Sequence, residues 1–262
     1  MTAVSSRTAE GEMPKMPGYS EETSQTLRAV LGLRGLIVDG VLKAGDRVAE
    51  PLVVERFKVS RTPARSALVQ LREQGLLDSL PSGGYAVSIF SERDVFDAIE
   101  LRGTLEGLAV RFAAERGISH SLAAAMAKCV TELDDAVAEF AKSYDPDRYV
   151  RLNDQFHNYI IEAGQSPVIR RSLERVLSLP FAAPNAFVQS TGSARPHAVT
   201  IMASAQEQHR SILEAISNRE GKRAEALACE HSRSAWKYLR VAFESRDSEM
   251  NFPGASLIRR SR

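Results

Sequence analysis

The chain has 262 residues and lacks several features that would place it outside the cell or in a membrane. It contains two cysteines, Cys129 and Cys229, which lie in helical patterns and form no metal-type pair. Disulfides persist in oxidising compartments, whereas the cysteines of cytoplasmic proteins are commonly reduced core thiols. No apolar run approaches the roughly 20 residues that span a bilayer. These absences predict a cytoplasmic protein with no membrane partner.

A marked excess of charge is also missing. The formal net charge is +1, and residues 23–89 contain nine Lys and Arg against six Asp and Glu. So mild an excess does not by itself indicate a nucleic-acid partner, and any such prediction depends on where the cations are placed. Residues 1–20 have no apolar core segment, and their Pro, Gly, Ser and Glu content predicts a flexible N-terminal arm instead of a signal peptide.

The segment from Ser60 to Gly75 is predicted to form a helix with its polar donors at one end. Ser60 is suited to accept the first N–H groups of a helix, and Pro63 fits a first turn, where its missing N–H costs little. An apolar stripe at helical spacing follows, made of Ala67, Leu68 and Leu71. The N-terminal end carries the side chains of Arg61, Thr62 and Arg65. Such an end is what a recognition helix inserts into the major groove of DNA.

The remaining pattern predicts two domains that divide near Phe90. In residues 21–90, an amphipathic helix, a turn over residues 43–47 and a short second helix precede the recognition helix. Two strands around Pro81-Ser-Gly-Gly84 follow it, and together these elements form a winged helix-turn-helix. Residues 91–244 are almost wholly helical in pattern and begin at a capping-box-like Ser91-x-x-Asp94. Helical periodicity is weakest over 179–200, and the next helix is expected from Ile201.

Residues 245–262 are predicted to be a flexible tail. The predicted fold class is therefore mainly α, with an N-terminal winged helix-turn-helix followed by an all-α helical bundle.

The N-terminal pattern resembles the winged helix of GntR-type bacterial transcription regulators. The matching residues are Leu42-x-x-Gly45-Asp-Arg47, Val59-Ser-Arg-Thr-Pro-Ala-Arg-Ser-Ala-Leu68, Leu71, Gly75-Leu-Leu77 and Gly84-Tyr-x-Val87. The resemblance implies that the two arginines contact bases or nearby phosphates, that the threonine supports them, and that the paired glycines tip the wing into the minor groove. The predicted DNA-binding residues are Ser60, Arg61, Thr62, Arg65, Gly83 and Gly84.

The helical domain resembles the FCD-type effector domain of one GntR subgroup. The matching residues are Asp97-x-x-Glu100-x-Arg102-x-x-x-Glu106, Asn153-Asp-Gln-Phe-His157, Gly164-Gln165, His209 and His231. The resemblance implies a metal site formed by Asn153, His157, His209 and His231. Asn153 and His157 stand at i and i+4, on one side of a helix. Three neutral imidazoles and one oxygen suit a divalent ion such as zinc, nickel or manganese.

Two alternatives stay open within this domain. The amide oxygen of Asn153 brings no negative charge, so we expect lower metal affinity than with a carboxylate, and Asp154, three residues before His157, is an alternative oxygen ligand. Arg102 lies in an otherwise apolar face, where it either pairs with Glu106 at i+4 or anchors the carboxylate of an effector. Both pairings can hold in different states, which would give a switch.

The sequence therefore predicts a ligand-responsive DNA-binding transcription regulator, a homodimeric repressor on double-stranded operator DNA. A small organic acid at the metal site would modulate operator binding. An alternative is a metal-dependent enzyme acting on a small organic acid, although the sequence has no His-Glu-x-x-His and no Gly-x-Ser-x-Gly pattern. A third is that the metal only stiffens the bundle while the effector binds elsewhere.

Overall fold

The computed structural model describes residues 21–186, 195–244 and 254–259, so the predicted N-terminal arm lies outside it. The first domain is a winged helix-turn-helix, as predicted. Its elements are α1 (Glu21–Val38), β1 (Arg47–Val48), α2 (Glu50–Phe57), α3 (Arg61–Glu73), β2 (Leu77–Ser79) and β3 (Tyr85–Val87). The three strands form an antiparallel sheet in the order β1-β3-β2.

The second domain is helical apart from two short strands at its junction with the first. Its elements are β4 (Phe90–Ser91), α4 (Glu92–Arg116), α5 (His120–Ser143), α6 (Asp147–Ala163), α7 (Pro167–Leu177), α8 (Arg195–Ser217), α9 (Gly221–Glu244) and β5 (Ile258–Arg259). Two 3-10 turns, Pro180–Ala182 and Ala255–Leu257, complete it. The predicted fold class, mainly α with a winged helix before a helical bundle, is confirmed.

Strand β1 and the start of α8 differ from the sequence prediction. The turn predicted over residues 43–47 forms, since the backbone N–H of Asp46 donates to the carbonyl of Lys43 at 2.9 Å. The sequence did not predict that Arg47 and Val48 then pair with β3 and bury the Val48 side chain. Helix α8 begins at Arg195, six residues before the predicted Ile201. Pro196 does not prevent this, because a proline in a first turn removes an N–H that has no helical partner.

Helix α4 organises the second domain. Its predicted capping box is present: Ser91 Oγ accepts from the backbone of Asp94 at 3.2 Å, and Asp94 Oδ2 accepts from the backbone of Ser91 at 2.7 Å. Gly103 and Gly107 let α9 approach closely, because a side chain at Gly103 would collide with Ser232. The consequence is that residues of α9 lie directly beside the middle of α4.

The C-terminal end of the chain contradicts the predicted flexible tail over residues 254–259, which we call the C-terminal segment. Gly254 donates its backbone N–H to Val38 of α1 at 3.0 Å. Leu257 is fully buried in the apolar core of the winged helix, whereas Ile258 packs with that of the helical domain. Strand β5 also pairs in parallel with β4. The segment therefore joins the two domains. Residues 245–253 and 260–262 lie outside the described structure.

A second link between the domains is the chain from residue 178 to 186, which we call the connector. Ser178 Oγ donates to the carbonyl of Gln74, just after α3, at 2.9 Å. Arg34 of α1 donates to the Ser178 carbonyl at 2.8 Å. Phe181 packs edge-on against Phe90, with ring centroids 4.8 Å apart. The connector thus contacts the recognition helix end and the domain boundary together.

Shortening Leu257 to Ala should destabilise the protein by about 2–5 kcal/mol, because a fully buried leucine leaves a cavity between the domains. Urea unfolding of the full chain measures the change. The exposed neighbour Ser256 supplies the control, since Ser256→Ala should have little effect. Equal stability of the two variants would show that the C-terminal segment does not hold the domains together.

Candidate functional site

Three buried histidines from three helices converge in the second domain. His157 comes from α6, His209 from α8 and His231 from α9. The Nε2 atoms of His209 and His231 are 3.0 Å apart, and those of His231 and His157 are 3.3 Å apart. Two nitrogen ligands of one tetrahedral zinc ion stand roughly 3.3 Å apart. The spacing therefore fits a shared metal ion.

The other ring nitrogen of each histidine faces an oxygen acceptor. The Nδ1–O distances are 2.9 Å for His157 to Glu106 Oε1, 2.9 Å for His209 to Gln206 Oε1, and 3.2 Å for His231 to Gln208 Oε1. Because such oxygens accept and do not donate, Nδ1 carries the proton in each ring and Nε2 keeps its lone pair. Three lone pairs thus face one another, an arrangement suited to a cation.

The orientation of Gln206 is set by its own partners. Its Nε2 donates to the carbonyl of Val130 at 2.8 Å and to Asp134 Oδ1 at 2.7 Å, which leaves Oε1 facing His209. The pKa shifts of His231 and His209 agree with neutral rings at these two positions. Burial, with smaller effects of His157 and Arg102, lowers the pKa of His231 to about 3, although Glu106 opposes this. Burial and the neighbouring histidines also hold the pKa of His209 well below its usual value.

Glu106 and Arg102 form a buried pair beside this cluster. Burial raises the pKa of Glu106, but His157 and Arg102 together outweigh it and hold the pKa at about 2, so the carboxylate is ionised. Arg102 Nε lies 3.7 Å from Glu106 Oε2 and has no hydrogen-bond partner in residues 21–186, 195–244 and 254–259. Nη1 and Nη2 donate to the carbonyls of Ala182 (2.9 Å) and Ser232 (3.3 Å). Of the two predicted pairings, the structure contains the one with Glu106.

A small cavity of about 20 Å³ lies between these side chains. Its lining includes Arg102, Tyr149, Asn153, His157 and His231. This volume suits one water molecule or one ion, so an organic acid would need the surrounding chain to move.

The two candidate oxygen ligands lie in different surroundings. Asn153 is buried, and within the described part of the chain its Oδ1 has no hydrogen-bond partner. Asp154 is exposed and accepts from Asn185 Nδ2 at 2.6 Å. Among the residues that the structure describes, no carboxylate joins the group of three histidines. Asn153 therefore shares the lining of the cavity with His157 and His231, whereas Asp154 does not line it.

The predicted DNA-binding side chains are exposed at one end of the winged helix. Arg61, Thr62 and Arg65 lie in the first turns of α3, and Arg65 forms an ion pair with Glu50 of α2. Gly83 and Gly84 occupy the wing turn with φ of +86° and +83°, and open space surrounds both. These dihedral angles favour glycine.

Ser60 occupies the N-cap position of α3, but its side chain makes no capping hydrogen bond, so the predicted capping is wrong. Its backbone N–H instead donates to Gln25 Oε1 at 3.0 Å. The exposed Arg47 was missed as a candidate, although its Nη2 donates to Ser82 Oγ in the wing at 3.3 Å. The Gly45-Asp46-Arg47 motif, which belongs to the resemblance to GntR-type regulators, could have indicated Arg47 as a candidate.

The acceptors behind the histidines were also missed. Gln206 stands three residues before His209, a spacing that could have indicated a contact within one helix. Gln208 acts on His231 from a different helix, and no local pattern indicates that pairing. Glu106 was predicted as part of the FCD-type motif and as a partner of Arg102, but not as the acceptor for His157.

Comparison with known families agrees with this architecture. The model described as "Bacterial regulatory proteins, gntR family" matches residues 25–87, and the FCD domain model matches residues 97–234. A winged helix joined to such a domain defines a DNA-binding transcription regulator. The chain belongs to the GntR family and carries an FCD domain.

Curated relatives are regulators as well. The chain is 28% identical over 206 residues to the uncharacterized HTH-type transcriptional regulator YdhC of Bacillus subtilis, covering 76% of this chain and 87% of the relative. It is 26% identical to the Glc operon transcriptional activator of Escherichia coli K12 (78% and 84% covered). It is 25% identical to the transcriptional repressor GlaR of the same strain (79% and 93% covered).

A solved structure shares the fold. Escherichia coli McbR/YncC superposes with a TM-score of 0.60 at 19% identity, covering 84% of this chain and 99% of that one. Among the described residues, no helix is both long and apolar enough to cross a membrane. Because the family and its relatives are transcription regulators, the enzyme alternative is set aside.

Replacing Arg102 by Met should destabilise the protein by about 3–5 kcal/mol, because the charge of Glu106 would stay buried without its cationic partner. Adding Glu106→Gln should recover part of this loss in urea unfolding. Arg93 forms an exposed i,i+4 pair with Asp97 on the same helix, and Arg93→Met serves as the matched control with little expected change. Additive losses in the double variant would exclude the coupling.

Proposed function

We propose that this regulator is a homodimeric repressor that binds operator DNA through α3 and the wing and responds to a small organic acid at a divalent metal. It would act in the cytoplasm, where its operator is found. The carrying observation is the convergence of three buried Nε2 lone pairs, each ring held by an acceptor at Nδ1. Dimerisation is proposed because two winged helices match the two half-sites of a palindromic operator.

The exposed end of α3 supports direct reading of bases. A guanidinium matches the two major-groove acceptors of guanine, and both Arg61 and Arg65 are exposed. Glu50 holds Arg65 before DNA arrives, by a hydrogen bond that raises the pKa of the guanidinium. This contact would keep the Arg65 side chain extended along the helix end, and DNA would have to replace or share it.

The metal would be held by His157, His209 and His231, with the amide oxygen of Asn153 as fourth ligand. Zinc, nickel and manganese are the candidate ions. A bound ion would supply an electrophilic centre to which a carboxylate can attach. Arg102, at the wall of the same cavity, has a spare N–H at Nε that could bind the acid beside the ion.

The signal from the cavity to DNA would pass through the connector. Arg102 donates to the carbonyl of Ala182, and the other end of the connector is bonded to Gln74 and Arg34 of the winged helix. An acid that recruits Arg102 would weaken its bond to Ala182. Since the cavity is small, entry of the acid would also displace Pro184, which lines the cavity. Both changes act on the segment that positions the winged helix.

Removing the two helix-end arginines should abolish sequence-specific DNA binding. With a duplex selected from a random pool, Arg61→Ala and Arg65→Ala should each weaken binding by about tenfold to a hundredfold in fluorescence anisotropy. The control is Arg72→Ala, an exposed arginine at the opposite end of the same helix, with little expected effect. Unchanged binding in the double variant would refute this mode of DNA recognition.

Repression is tested in cells. A reporter joined to the selected operator should rise when the regulator gene is deleted, and should stay high when the Arg61→Ala, Arg65→Ala variant is supplied instead. A fall on deletion would indicate activation, as the name of the Glc operon relative describes for that protein.

Metal removal should lower the melting temperature of the full chain. At an ion concentration of 100 times Kd the stabilisation is about 2.7 kcal/mol, which for a chain of this size is on the order of 5–10 °C. His209→Ala should lose this shift, whereas the exposed His120→Ala should keep it. A shift that persists in His209→Ala would place the ion elsewhere.

A panel of small organic acids then tests the effector role. One acid should change operator affinity in the metal-loaded protein and have no effect after chelation. Arg102→Lys, which keeps the charge but loses the planar fork, should weaken the response to that acid. If chelation lowers the melting temperature but leaves the response intact, the metal only stiffens the bundle.

A further inference from the structure

Asn153 has one satisfied and one unsatisfied end. Its Nδ2 donates to Asn185 Oδ1 at 2.9 Å, while its Oδ1 has no hydrogen-bond partner among the residues that the structure describes. The side chain is buried and lines the same cavity as His157 and His231. A buried carbonyl oxygen without a partner is costly, so this oxygen is suited to a donor or a cation inside the cavity. The three adjacent Nε2 lone pairs favour the cation.

The shape of the Asn153 amide does not by itself favour the orientation with Oδ1 towards the cavity, because the two ends of an amide have nearly the same shape. The hydrogen bonds of Asn185 determine the orientation of the Asn153 amide. Its Nδ2 donates to Asp154 Oδ1 at 2.6 Å and to the carbonyl of Val150 at 2.9 Å, and both of these oxygens are acceptors. Asn185 Oδ1 therefore faces Asn153. Because that oxygen also only accepts, Asn153 must present Nδ2 to it and Oδ1 to the other side.

We propose that Asn185 is a positioning residue that directs the carbonyl oxygen of Asn153 towards a divalent metal held by the three histidines. This inference rests on the proposed metal site. An aspartate ligand would need no such device, since its two oxygens are equivalent, whereas an asparagine ligand does. Asn185 lies in the connector beside Pro184, so the connector would contribute to the ligand geometry as well as to the domain junction.

The test measures metal affinity of the full chain by competition with a chromophoric chelator. Asn185→Ala should lower Zn²⁺ affinity by about tenfold to a hundredfold, the usual effect of losing a partner behind a ligand. The visible absorption of bound Co²⁺ should change as well, because it reports the ligand set. Asn185→Leu preserves volume and replaces the alanine variant if that one does not fold. Asn158→Ala, an exposed asparagine on α6, is the matched control and should bind like the unaltered chain.

A second background separates positioning from a general structural role. In a chain carrying Asn153→Asp, the change Asn185→Ala should cost little or no Zn²⁺ affinity, because a carboxylate needs no orientation. An equal loss in both backgrounds would overturn the proposal.

The outcomes also distinguish this inference from the proposed function. If the unaltered chain binds no Zn²⁺, or His209→Ala binds it equally well, the metal site itself fails. If His209→Ala loses binding while Asn185→Ala and Asn185→Leu keep both full affinity and the Co²⁺ spectrum, only the positioning role of Asn185 fails.

Discussion

The buried carboxylate of Glu106 is the group on which the arrangement of the candidate site depends. An ionised carboxylate without solvent needs partners, and here it has the Nδ1–H of His157 on one side and the guanidinium of Arg102 on the other. The same charge therefore sets the tautomer of a histidine and the place of an arginine. Close packing of α4 on α9, made possible by Gly103 and Gly107, brings His231 to this pair.

The second consequence of this packing is a continuous set of contacts from the cavity to the winged helix. Arg102 binds the connector at Ala182, and the connector binds the end of α3 through Ser178 and Gln74. The C-terminal segment crosses the same junction, with Leu257 in one core and Ile258 in the other. The connector and the C-terminal segment together hold the two domains, so a movement of the connector would change how the winged helix is held against the helical domain.

Local sequence signals predicted the local structure well. Helix α3, the capping box at Ser91 and the wing turn at Gly83 and Gly84 follow from residue types at fixed short spacings. Two features were not predicted from the sequence because their stabilisation is non-local. Strand β1 is two residues long and exists through pairing with β3, and the C-terminal segment gains its order from apolar surfaces on both domains.

The candidate site divides in the same way. The sequence by itself determined which side chains share a helix face, such as Asn153 and His157 at i and i+4, and which end of α3 carries arginines. Only the tertiary structure decided which ring nitrogen of each histidine bears the proton and which end of Asn153 faces the cavity. The physical reason is that most of these choices are made by hydrogen-bond partners from other elements, such as Glu106 and Asn185, whose proximity no local spacing encodes.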